Sequence, residues 1–287
     1  MNNDNLLSLS LSLSLSLYSD KGFRLFTFWE PKEKMPAYIR LCMQTWKKFL
    51  PECEVVLLDY SNLEEWLGKD VYDEILFRDF SLPKQADAIR CALLKKYGGL
   101  WLDADTILTS PQVKDYLMID SELVMISKHL AFIKANNNSK IIADWYNQIQ
   151  YNLKFYKDVK YQNNAVQKIL HPRRYRRVEN WDYLGNYILH KMLKTKNKKK
   201  FFSIDRMEIN ALPELNNKKN DNLVENYQNF YFENDYSQDV IKNTKGIILL
   251  HNSWTPQPFL QMNKEEFLNR NNTLSNVLKK VLSMEKF

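Results

Sequence analysis

The sequence predicts an α/β fold with a mostly parallel central sheet, and three observations lead to that class. Apolar runs alternate with amphipathic stretches over the first hundred residues, which is the order expected when helices cover the faces of a parallel sheet. Apolar residues make up 45% of the 287 residues and aromatic residues 13%, enough for a sizeable core. No internal repeat and no Pro/Gly-rich linker divides the chain. We therefore expect one large domain with elaborations.

The predicted domain, residues 21–260, lies between two terminal segments, 1–20 and 261–287. The first segment contains LLSLSLSLSLSLY at residues 6–18, where serine and leucine alternate and no basic residue leads. This run is too short and too polar to span a bilayer. We predict a low-complexity tail, although its period of two also suits an edge strand.

The first elements of the domain alternate in type. Residues 23–29 (FRLFTFW) are predicted as a buried strand, and residues 54–59 (EVVLLD) as a second one. Residues 36–50 are predicted as a helix, because Pro36 suits a first turn and apolar residues recur at helical spacing. Residues 61–68 (SNLEEWLG) open with a Ser/Glu capping pattern, which predicts a short helix.

A strong helix signal and a third strand follow. Residues 82–99 (LPKQADAIRCALLKKYGG) predict a helix that stops at its glycines, and residues 100–105 (LWLDAD) predict the next strand. The second half of the chain is less regular. We predict strands at 122–128 and 131–136, a helix at 141–156, and a late buried strand within 245–254 (KGIILLHNSW).

The C-terminal segment predicts an amphipathic helix beginning near residue 265. Its apolar residues fall on one helical face: Leu274, Val277, Leu278, Val281 and Leu282. Such a face either docks on the core or lies on a membrane surface, and the sequence leaves both possibilities open.

The charge of the chain points to a phosphate-bearing or otherwise anionic partner. The formal net charge is +7, and basic residues cluster at 173–177 (RRYRR) and 191–200 (KMLKTKNKKK). Nucleic acid, an anionic membrane and a nucleotide all fit this charge, as does an ordinary solvated face. Because the chain has no helix-turn-helix, zinc or RNP signature, we predict that it does not bind nucleic acid.

The cysteines exclude a disulfide framework and a structural zinc site. Cys42, Cys53 and Cys91 are odd in number, and no pair has CxxC spacing. A reducing cytosol is the compartment that this usage favours. With the basic clusters, it predicts a cytoplasmic protein that contacts the inner face of the plasma membrane peripherally.

Two aspartates, Asp103 and Asp105, follow the third predicted strand. In a strand, residues two apart point to the same side, so both carboxylates would project together. Their mutual repulsion is relieved by a cation, and hard oxygen ligands suit Mn²⁺ or Mg²⁺. Because open parallel sheets bind ligands at the carboxyl ends of their strands, we predict a divalent metal site for a phosphorylated ligand there.

The helix before this strand carries Asp87 and Arg90 three residues apart, hence on one face. Together these residues form the motif ADAIRCALLKKYGGLWLDADTILTSP. It resembles the signature of DxD sugar transferases, namely glycosyltransferase family 32 and the capsular polysaccharide synthesis proteins, and its core is similar to that of the clostridial glucosylating toxins. The resemblance covers residues 23–111 well, returns in HNSWTP at residues 251–256, and is vague between them.

The resemblance implies a GT-A fold and a role for each matching residue. Asp105 would bind the metal directly, and Asp103 the metal or the donor's ribose and sugar. Asp87 and Arg90 would hold the transferred sugar, and Trp29 would stack on the uracil. In the late motif, either His251 or Asn252 would complete the metal shell, while Ser253 and Trp254 would contact the donor phosphates.

The resemblance further implies the reaction. Family members move a sugar from a nucleotide donor, here a UDP-sugar by preference, and retain the anomeric configuration. The acceptor would be a glycan or a lipid-linked oligosaccharide in bacterial surface polysaccharide synthesis. A metal on Asp103 and Asp105 would act as Lewis acid on the leaving diphosphate, and Arg90 would add fixed positive charge. No residue can be named as a nucleophile.

A phosphatase of the haloacid dehalogenase type is the alternative function. Its first motif is also an apolar strand followed by DxDxT, and LWLDADTIL has Thr106 one place early. In that class Asp103 would be the nucleophile. The class also needs a later GDxxxD or DD, which this chain lacks, and it leaves Asp87 and Arg90 unexplained. We therefore favour the transferase.

Overall fold

Eight strands form two sheets in the part of the chain that the computed structural model describes, namely residues 23–69, 71, 79–127, 129–161, 165–195, 200–209 and 222–283. The larger sheet has the order β2-β1-β3-β6-β5-β7, with β2–β1, β1–β3 and β5–β7 parallel and β6 antiparallel to both of its neighbours. Strands β4 and β8 pair antiparallel in a separate two-stranded sheet. The strands are β1 Arg24–Phe28, β2 Glu54–Leu58, β3 Gly99–Leu102, β4 Thr106–Leu108, β5 Leu123–Ile126, β6 His129–Ala135, β7 Phe201–Ile204 and β8 Ile247–Leu249.

Helices flank the larger sheet, so the predicted α/β class with a mostly parallel central sheet is confirmed. Short 3₁₀ turns lie at Lys32–Lys34 and Asn252–Trp254, and a π-helical turn at Asn229–Glu233. The α-helices are α1 Ala37–Phe49, α2 Leu63–Leu67, α3 Leu82–Tyr97, α4 Val113–Met118, α5 Lys140–Lys160, α6 Ala165–Leu170, α7 Pro172–Arg177, α8 Asn186–Leu193, α9 Arg206–Ile209, α10 Leu223–Gln228, α11 Ser237–Asn243, α12 Gln257–Gln261, α13 Lys264–Leu268 and α14 Thr273–Ser283.

Two apolar clusters cover the sheet. One joins α1 and α14 to β4 and β8, and includes Trp46, Phe132 and Leu278. The other joins α3 and α5 to the sheet and includes Trp101 and Trp145. This division follows from the sequence, because α1, α3 and α5 each place apolar side chains at helical spacing.

The glycine pair at the end of α3 has the role predicted for it. Gly98 ends the helix with a φ of +65°, and Gly99 begins β3 with a φ of +98°. A Cβ on Gly99 would lie only 2.5 Å from the carbonyl oxygen of Arg24 on β1. Glycine at this position therefore allows β3 to start directly beside β1, which delivers the following residues to the middle of the sheet.

The structure corrects the prediction that the two aspartates extend a strand. Strand β3 ends at Leu102, and the chain then turns, with the Thr106 N–H donating to the Asp103 carbonyl at 3.0 Å. The prediction that both carboxylates project from one face of a strand was therefore wrong, because neither aspartate belongs to a strand. A new strand, β4, starts immediately afterwards, which the sequence did not indicate because only three residues separate it from β3.

The short helix predicted at 61–68 is present as α2, but the cap predicted from the Ser/Glu pattern is not. Helix α2 begins after Asn62, and that residue makes no side-chain cap. The Ser61 hydroxyl instead donates to Asp59, while the Asn62 amide donates to the Leu57 carbonyl at 3.0 Å. These local bonds give Ser61 and Asn62 alternative partners to the helix end.

The C-terminal segment forms two helices rather than one. Helix α13 ends at Leu268, and α14 begins at Thr273. The predicted apolar face of α14 packs into the core beside α1: Leu274, Val277, Leu278 and Val281 are fully buried, and Leu282 is half-buried.

Two predictions lie outside the described residues. These are the N-terminal tail, residues 1–20, and part of the lysine run at 191–200, of which residues 196–199 are not described. None of the described helices combines the length and the apolarity that crossing a bilayer requires.

Candidate active site

The turn that carries Asp103 and Asp105 lies at the carboxyl end of β3. Helix α1 holds the far side of this turn, because the Trp46 indole donates to the Thr106 carbonyl at 2.7 Å. The Thr45 hydroxyl in turn accepts from the Leu108 N–H at 3.0 Å. Both donors and acceptors are buried, so the position of the aspartate turn depends on the packing of α1 against β4.

Asp103 belongs to a buried ionic cluster. Its Oδ1 accepts from the Trp101 indole at 2.7 Å and lies 3.2 Å from Nη2 of Arg90. The same Arg90 nitrogen lies 3.5 Å from Oδ1 of Asp87. The predicted D-x-x-R pair and the first aspartate of the DxD motif therefore meet through one guanidinium, although the spacing indicated only that Asp87 and Arg90 share a helix face.

The Arg90 side chain is fixed on several sides. Its Nη1 donates to the Leu130 carbonyl at 2.6 Å, its Nε donates to the Ala86 carbonyl at 3.2 Å, and its guanidinium lies 4.9 Å from the Trp101 ring centre. A planar guanidinium is suited to this shared, multidentate role, whereas a lysine ammonium is not. The side chain is therefore pre-organised before any ligand binds.

Asp87 packs against the start of helix α8. A Cβ on Gly185, the residue that precedes this helix, would lie 1.9 Å from Oδ2 of Asp87. Burial raises the pKa of Asp87 to about 7, since the nearby Arg90 lowers it less than desolvation raises it and the charges of Asp103 and Asp182 raise it further. Asp87 is therefore poised to change its charge near neutral pH.

Asp105 contacts the late motif, whereas Asp103 contacts the Asp87–Arg90 pair. Its Oδ2 accepts from the Asn252 N–H at 2.9 Å, and the Leu250 N–H donates to its carbonyl at 3.3 Å. Burial raises the pKa of Asp105 to about 7, and the negative charge of Asp103 adds to the shift. The turn thus keeps the two carboxylates close enough to repel each other, although not by the strand geometry first expected.

The late motif closes onto Asp105 as a 3₁₀ turn. The Tyr38 hydroxyl donates to the Asn252 side-chain oxygen and lies 3.0 Å from the Thr255 hydroxyl. The Gln228 amide donates to the Trp254 carbonyl at 2.9 Å. The structure therefore brings Asn252 to the DxD turn through its backbone, while its side-chain oxygen is bonded to Tyr38.

His251 lies in an aromatic cluster at the same turn. Its ring centre is 4.2 Å from that of Trp254, 5.8 Å from Tyr227 and 5.9 Å from His129. Burial lowers the pKa of His251 to about 4, and the neighbouring His129 and Arg206 lower it further. His251 is therefore neutral at pH 7. Ser253 is exposed, at the tip of the turn.

His129 and Arg206 are site residues that the sequence did not single out. Burial lowers the pKa of His129 to about 4, while the charge of Asp103 acts in the opposite direction. Arg206 lines a small depression with His251 and Leu249, and burial lowers its pKa. Both residues come from weakly patterned parts of the chain, so only the tertiary fold shows that they lie beside the DxD turn.

Trp29 lies at the end of β1, half-buried against the core. Its backbone N–H donates to the Leu58 carbonyl at 3.0 Å, which extends the pairing of β1 with β2 by one residue. The side chain is thus placed at the same edge of the sheet as the end of β3. No ring contact of Trp29 is among those of the described residues.

The carboxylate oxygens of the DxD turn suit a divalent cation that keeps some of its coordination positions open. Both described contacts of the Asp103 carboxylate use Oδ1, which leaves Oδ2 for a cation, whereas the Asp105 carboxylate accepts from the Asn252 N–H and from its own backbone N–H. The raised pKa of Asp105 means that burial and the charge of Asp103 disfavour its ionised form, and a bound cation would stabilise that form. Among the described residues, no group of three or more His, Cys, Asp or Glu side chains is arranged around a common point. Water and substrate oxygens would have to supply the remaining ligands, as is usual for Mg²⁺.

Comparison with known proteins identifies a family for this chain. The family model for capsular polysaccharide synthesis proteins matches residues 8–257. The chain belongs to this family. The match includes the DxD turn and the HNSW turn of this capsular polysaccharide synthesis protein, and it excludes α13 and α14.

Among solved structures, the family member is similar to the glycosyltransferase GlyE of Streptococcus pneumoniae TIGR4, with 14% identity and a TM-score of 0.43. That alignment covers 92% of this chain and 60% of the GlyE chain, so the present chain spans about three fifths of its length. The PaToxG glycosyltransferase aligns at 14% identity with a TM-score of 0.37, over 66% of this chain and 75% of that one. No curated protein sequence matches.

Proposed function

We propose that this protein is a glycosyltransferase that moves a sugar from a nucleotide-sugar donor to a growing surface polysaccharide. The observation that carries the proposal is the junction of the buried Asp87 and Arg90 with the half-buried Asp103, directly beside the Asp105–Asn252 contact. It combines a fixed hydrogen-bonding cluster, suited to sugar hydroxyls, with a carboxylate pair suited to a metal diphosphate. Synthesis of a polysaccharide requires this transfer chemistry, so membership of the capsular family supports the proposal.

Asp103 and Asp105 are proposed to hold the cation, with His251 or Asn252 as a further ligand. A bound Mn²⁺ or Mg²⁺ would supply Lewis-acid stabilisation of the departing diphosphate. His251 is suited to ligation because it is neutral at pH 7. Asn252 would first have to share its side-chain oxygen with Tyr38. His251 would have to move towards the two carboxylates, because no three such side chains of the described residues surround a common point. The choice between His251 and Asn252 therefore stays open.

The remaining site residues are proposed to bind and orient the donor. Arg90, fixed by Leu130 and Trp101, would donate to the transferred sugar together with Asp87. Trp29 would stack on the base, which favours a UDP-sugar, and such stacking contributes roughly 1–3 kcal/mol per base.

The phosphate end of the donor is proposed to lie at the late turn. Trp254 and the exposed Ser253 would contact it, while Arg206 beside His251 would add positive charge as the diphosphate departs. Retention of configuration, the identity of the lipid-linked or glycan acceptor, and a cytoplasmic location stay predictions. The phosphatase alternative gains no support, because the carboxylate that would be its nucleophile, Asp103, is bonded to Arg90 and Trp101.

A thermal-shift panel of nucleotide sugars, with and without Mn²⁺, tests this function. The expected result is stabilisation by a nucleoside diphosphate sugar only when the metal is present, because the carboxylates and the diphosphate share it. Ligand at a hundred times its dissociation constant should add about 2.7 kcal/mol to the free energy of unfolding. If no nucleoside diphosphate stabilises the protein in a metal-dependent way, the proposal is wrong.

Asp105→Asn is the matched control for this panel. The variant keeps the shape of the side chain and an oxygen that accepts from the Asn252 N–H, yet removes the charge that binds the cation. It should remain folded and lose the metal-dependent stabilisation. Hydrolysis of a phosphomonoester by the wild-type protein, abolished by Asp103→Asn, would instead establish the phosphatase.

A further inference from the structure

A second surface of the molecule has the composition of a binding site, and the proposed transfer reaction does not use it. It consists of residues 165–177, which form α6 and α7, and we call it the basic–apolar surface. On α6 the apolar residues Val166, Ile169 and Leu170 have the i, i+3, i+4 spacing of one helical face. Their exposed fractions are 61%, 76% and 64%, so this face points into solvent.

The orientation of α6 is the reverse of that expected for a helix on the surface of a protein in water. Its two middle polar residues, Gln167 and Lys168, are half-buried, while its three large apolar residues are exposed. Single exposed apolar side chains are common and need no explanation. Three exposed apolar side chains on one helical face, with the polar residues turned inward, indicate a surface that an apolar phase or a partner covers.

The adjacent helix α7 supplies positive charge. Residues 165–177 contain five cations, Lys168, Arg173, Arg174, Arg176 and Arg177, and no Asp or Glu. Arg174 is held 3.7 Å above the Tyr151 ring, and Arg177 is held 3.3 Å above Tyr187. Arg173 and Arg176 are exposed. Part of RRYRR therefore packs inside the fold, and the rest extends the charge around the apolar face.

We propose that the basic–apolar surface binds an anionic lipid bilayer at its interface. Charge complementarity selects this occupant, because the segment carries five cations and no acidic residue beside an apolar face. Arg177 is paired with Asp182 at 3.3 Å, but Arg173 and Arg176 are exposed, which suits anionic headgroups above acyl chains. Aromatic side chains of the kind that lie at membrane interfaces flank it, with Tyr175 42% and Trp181 64% exposed. The C-terminal helix is not the anchor, because its apolar face is buried against α1.

The chain connects this surface to the sugar-binding end of the candidate site. Eight residues after Arg177, Gly185 lies against the Asp87 carboxylate. An enzyme held to the bilayer through α6 and α7 would thus have this end of the site tethered to the membrane by a short segment. A lipid-linked acceptor is the substrate class that this arrangement favours, a consequence that rests on the proposed function, whereas the membrane binding itself does not.

Vesicle co-sedimentation with the full chain tests the proposal. The protein should bind vesicles of phosphatidylcholine with 30% phosphatidylglycerol and show at least tenfold weaker binding to pure phosphatidylcholine. Binding should weaken as salt is raised, because added ions screen the exposed arginines. The double variant Ile169→Ser, Leu170→Ser should bind at least tenfold more weakly, and so should Arg173→Glu, Arg176→Glu.

Phe202→Ser and Val224→Ser are the matched controls, because both residues are exposed apolar side chains outside the surface, each 43% exposed. They should bind vesicles as the wild type does. Equal binding to both lipid compositions, no binding by the wild type, or the same loss in the controls overturns the proposal.

Two further measurements distinguish membrane binding from self-association and from donor binding. A wild-type dimer in light scattering that Ile169→Ser, Leu170→Ser makes monomeric would show that a second copy covers the face, and would also overturn the proposal. All variants should retain the wild-type thermal transition and the metal-dependent stabilisation by nucleotide sugar. If that stabilisation is absent from the wild type while vesicle binding is intact, the proposed function fails and the membrane surface stands.

Discussion

At the scale of single residues, the contact between Asp87 and Gly185 gives a sharp test of whether this end of the site binds the sugar, as we propose. In Gly185→Ala the added methyl group would lie 1.9 Å from Oδ2 of Asp87, so the carboxylate has to move. We expect the affinity for donor to fall at least tenfold and the free energy of unfolding to fall by about 1–3 kcal/mol, the usual cost of overpacking. Calorimetric titration of donor and denaturant unfolding measure the two effects.

Gly68→Ala is the control that separates a loss of stability from a loss of affinity for the donor. A Cβ on Gly68 meets nothing within 4 Å, yet the backbone there has a φ of +96°, which an alanine adopts only with strain. This variant should lose stability and keep the wild-type affinity for donor. If Gly185→Ala also keeps that affinity, the position of Asp87 does not matter for donor binding.

The residues of the site differ in how far the sequence could predict them. Local spacing was enough to place Asp87 and Arg90 on one helix face, whereas a site shared with Asp103 was implied only by the resemblance of the motif. His129, Arg206, Tyr38 and Gly185 reach the same place from distant parts of the chain. Their residue types are common in ordinary cores and loops, so nothing in the sequence near them indicates a site.

At the scale of elements, α14 shows how an apolar stripe is used. Leu278 is fully buried between this helix and α1, so Leu278→Ala should lower the free energy of unfolding by about 2–5 kcal/mol. Lys279→Ala on the exposed side of the same helix should change it by less than about 0.5 kcal/mol. Urea unfolding gives both values. Similar small effects for the two variants would mean that α14 is not docked in solution.

The predicted elements follow the strength of their patterns. Long helices such as α1, α3 and α5 were predicted well, because many apolar residues recur at one period. The strands β4 and β7, with three and four residues, are too short to establish a period. Helices α6 and α7 have six residues each and no buried residue, so they are too short for a helical period to be established from the sequence.

At the scale of the whole molecule, each aspartate of the DxD turn is tied to a different layer. Asp103 bonds to Trp101 and Arg90, whose surroundings belong to the cluster around α3 and α5. Asp105 bonds to the turn that Tyr38 holds, in the cluster around α1 and α14. The separation of the two carboxylates therefore depends on how both layers pack on the sheet. If the two carboxylates hold the proposed cation, a loss of packing far from the site, as in α14, should therefore weaken its binding.

The stability of the whole molecule should carry the pH signature of Asp87. An unfolded aspartate has a pKa of about 3.9, whereas burial raises the pKa of Asp87 in the folded state to about 7. Between these values the folded protein keeps a proton that the unfolded chain has released, so the contribution of Asp87 to stability falls as pH rises. Asp87→Asn cannot titrate. The stability of this variant relative to the wild type should therefore increase from pH 5 to pH 8.

Urea unfolding at pH 5, 6, 7 and 8 in the presence of a chelator measures this difference, and the chelator keeps metal from changing the charges at Asp103. The change should be concentrated between about pH 4 and pH 7, because above the folded pKa both states have lost the proton. A difference for Asp87→Asn that is flat, or that decreases as pH rises, would mean that Arg90 keeps Asp87 ionised in the folded protein. The cluster would then be a permanent ion pair, and donor binding would not depend on the protonation of Asp87.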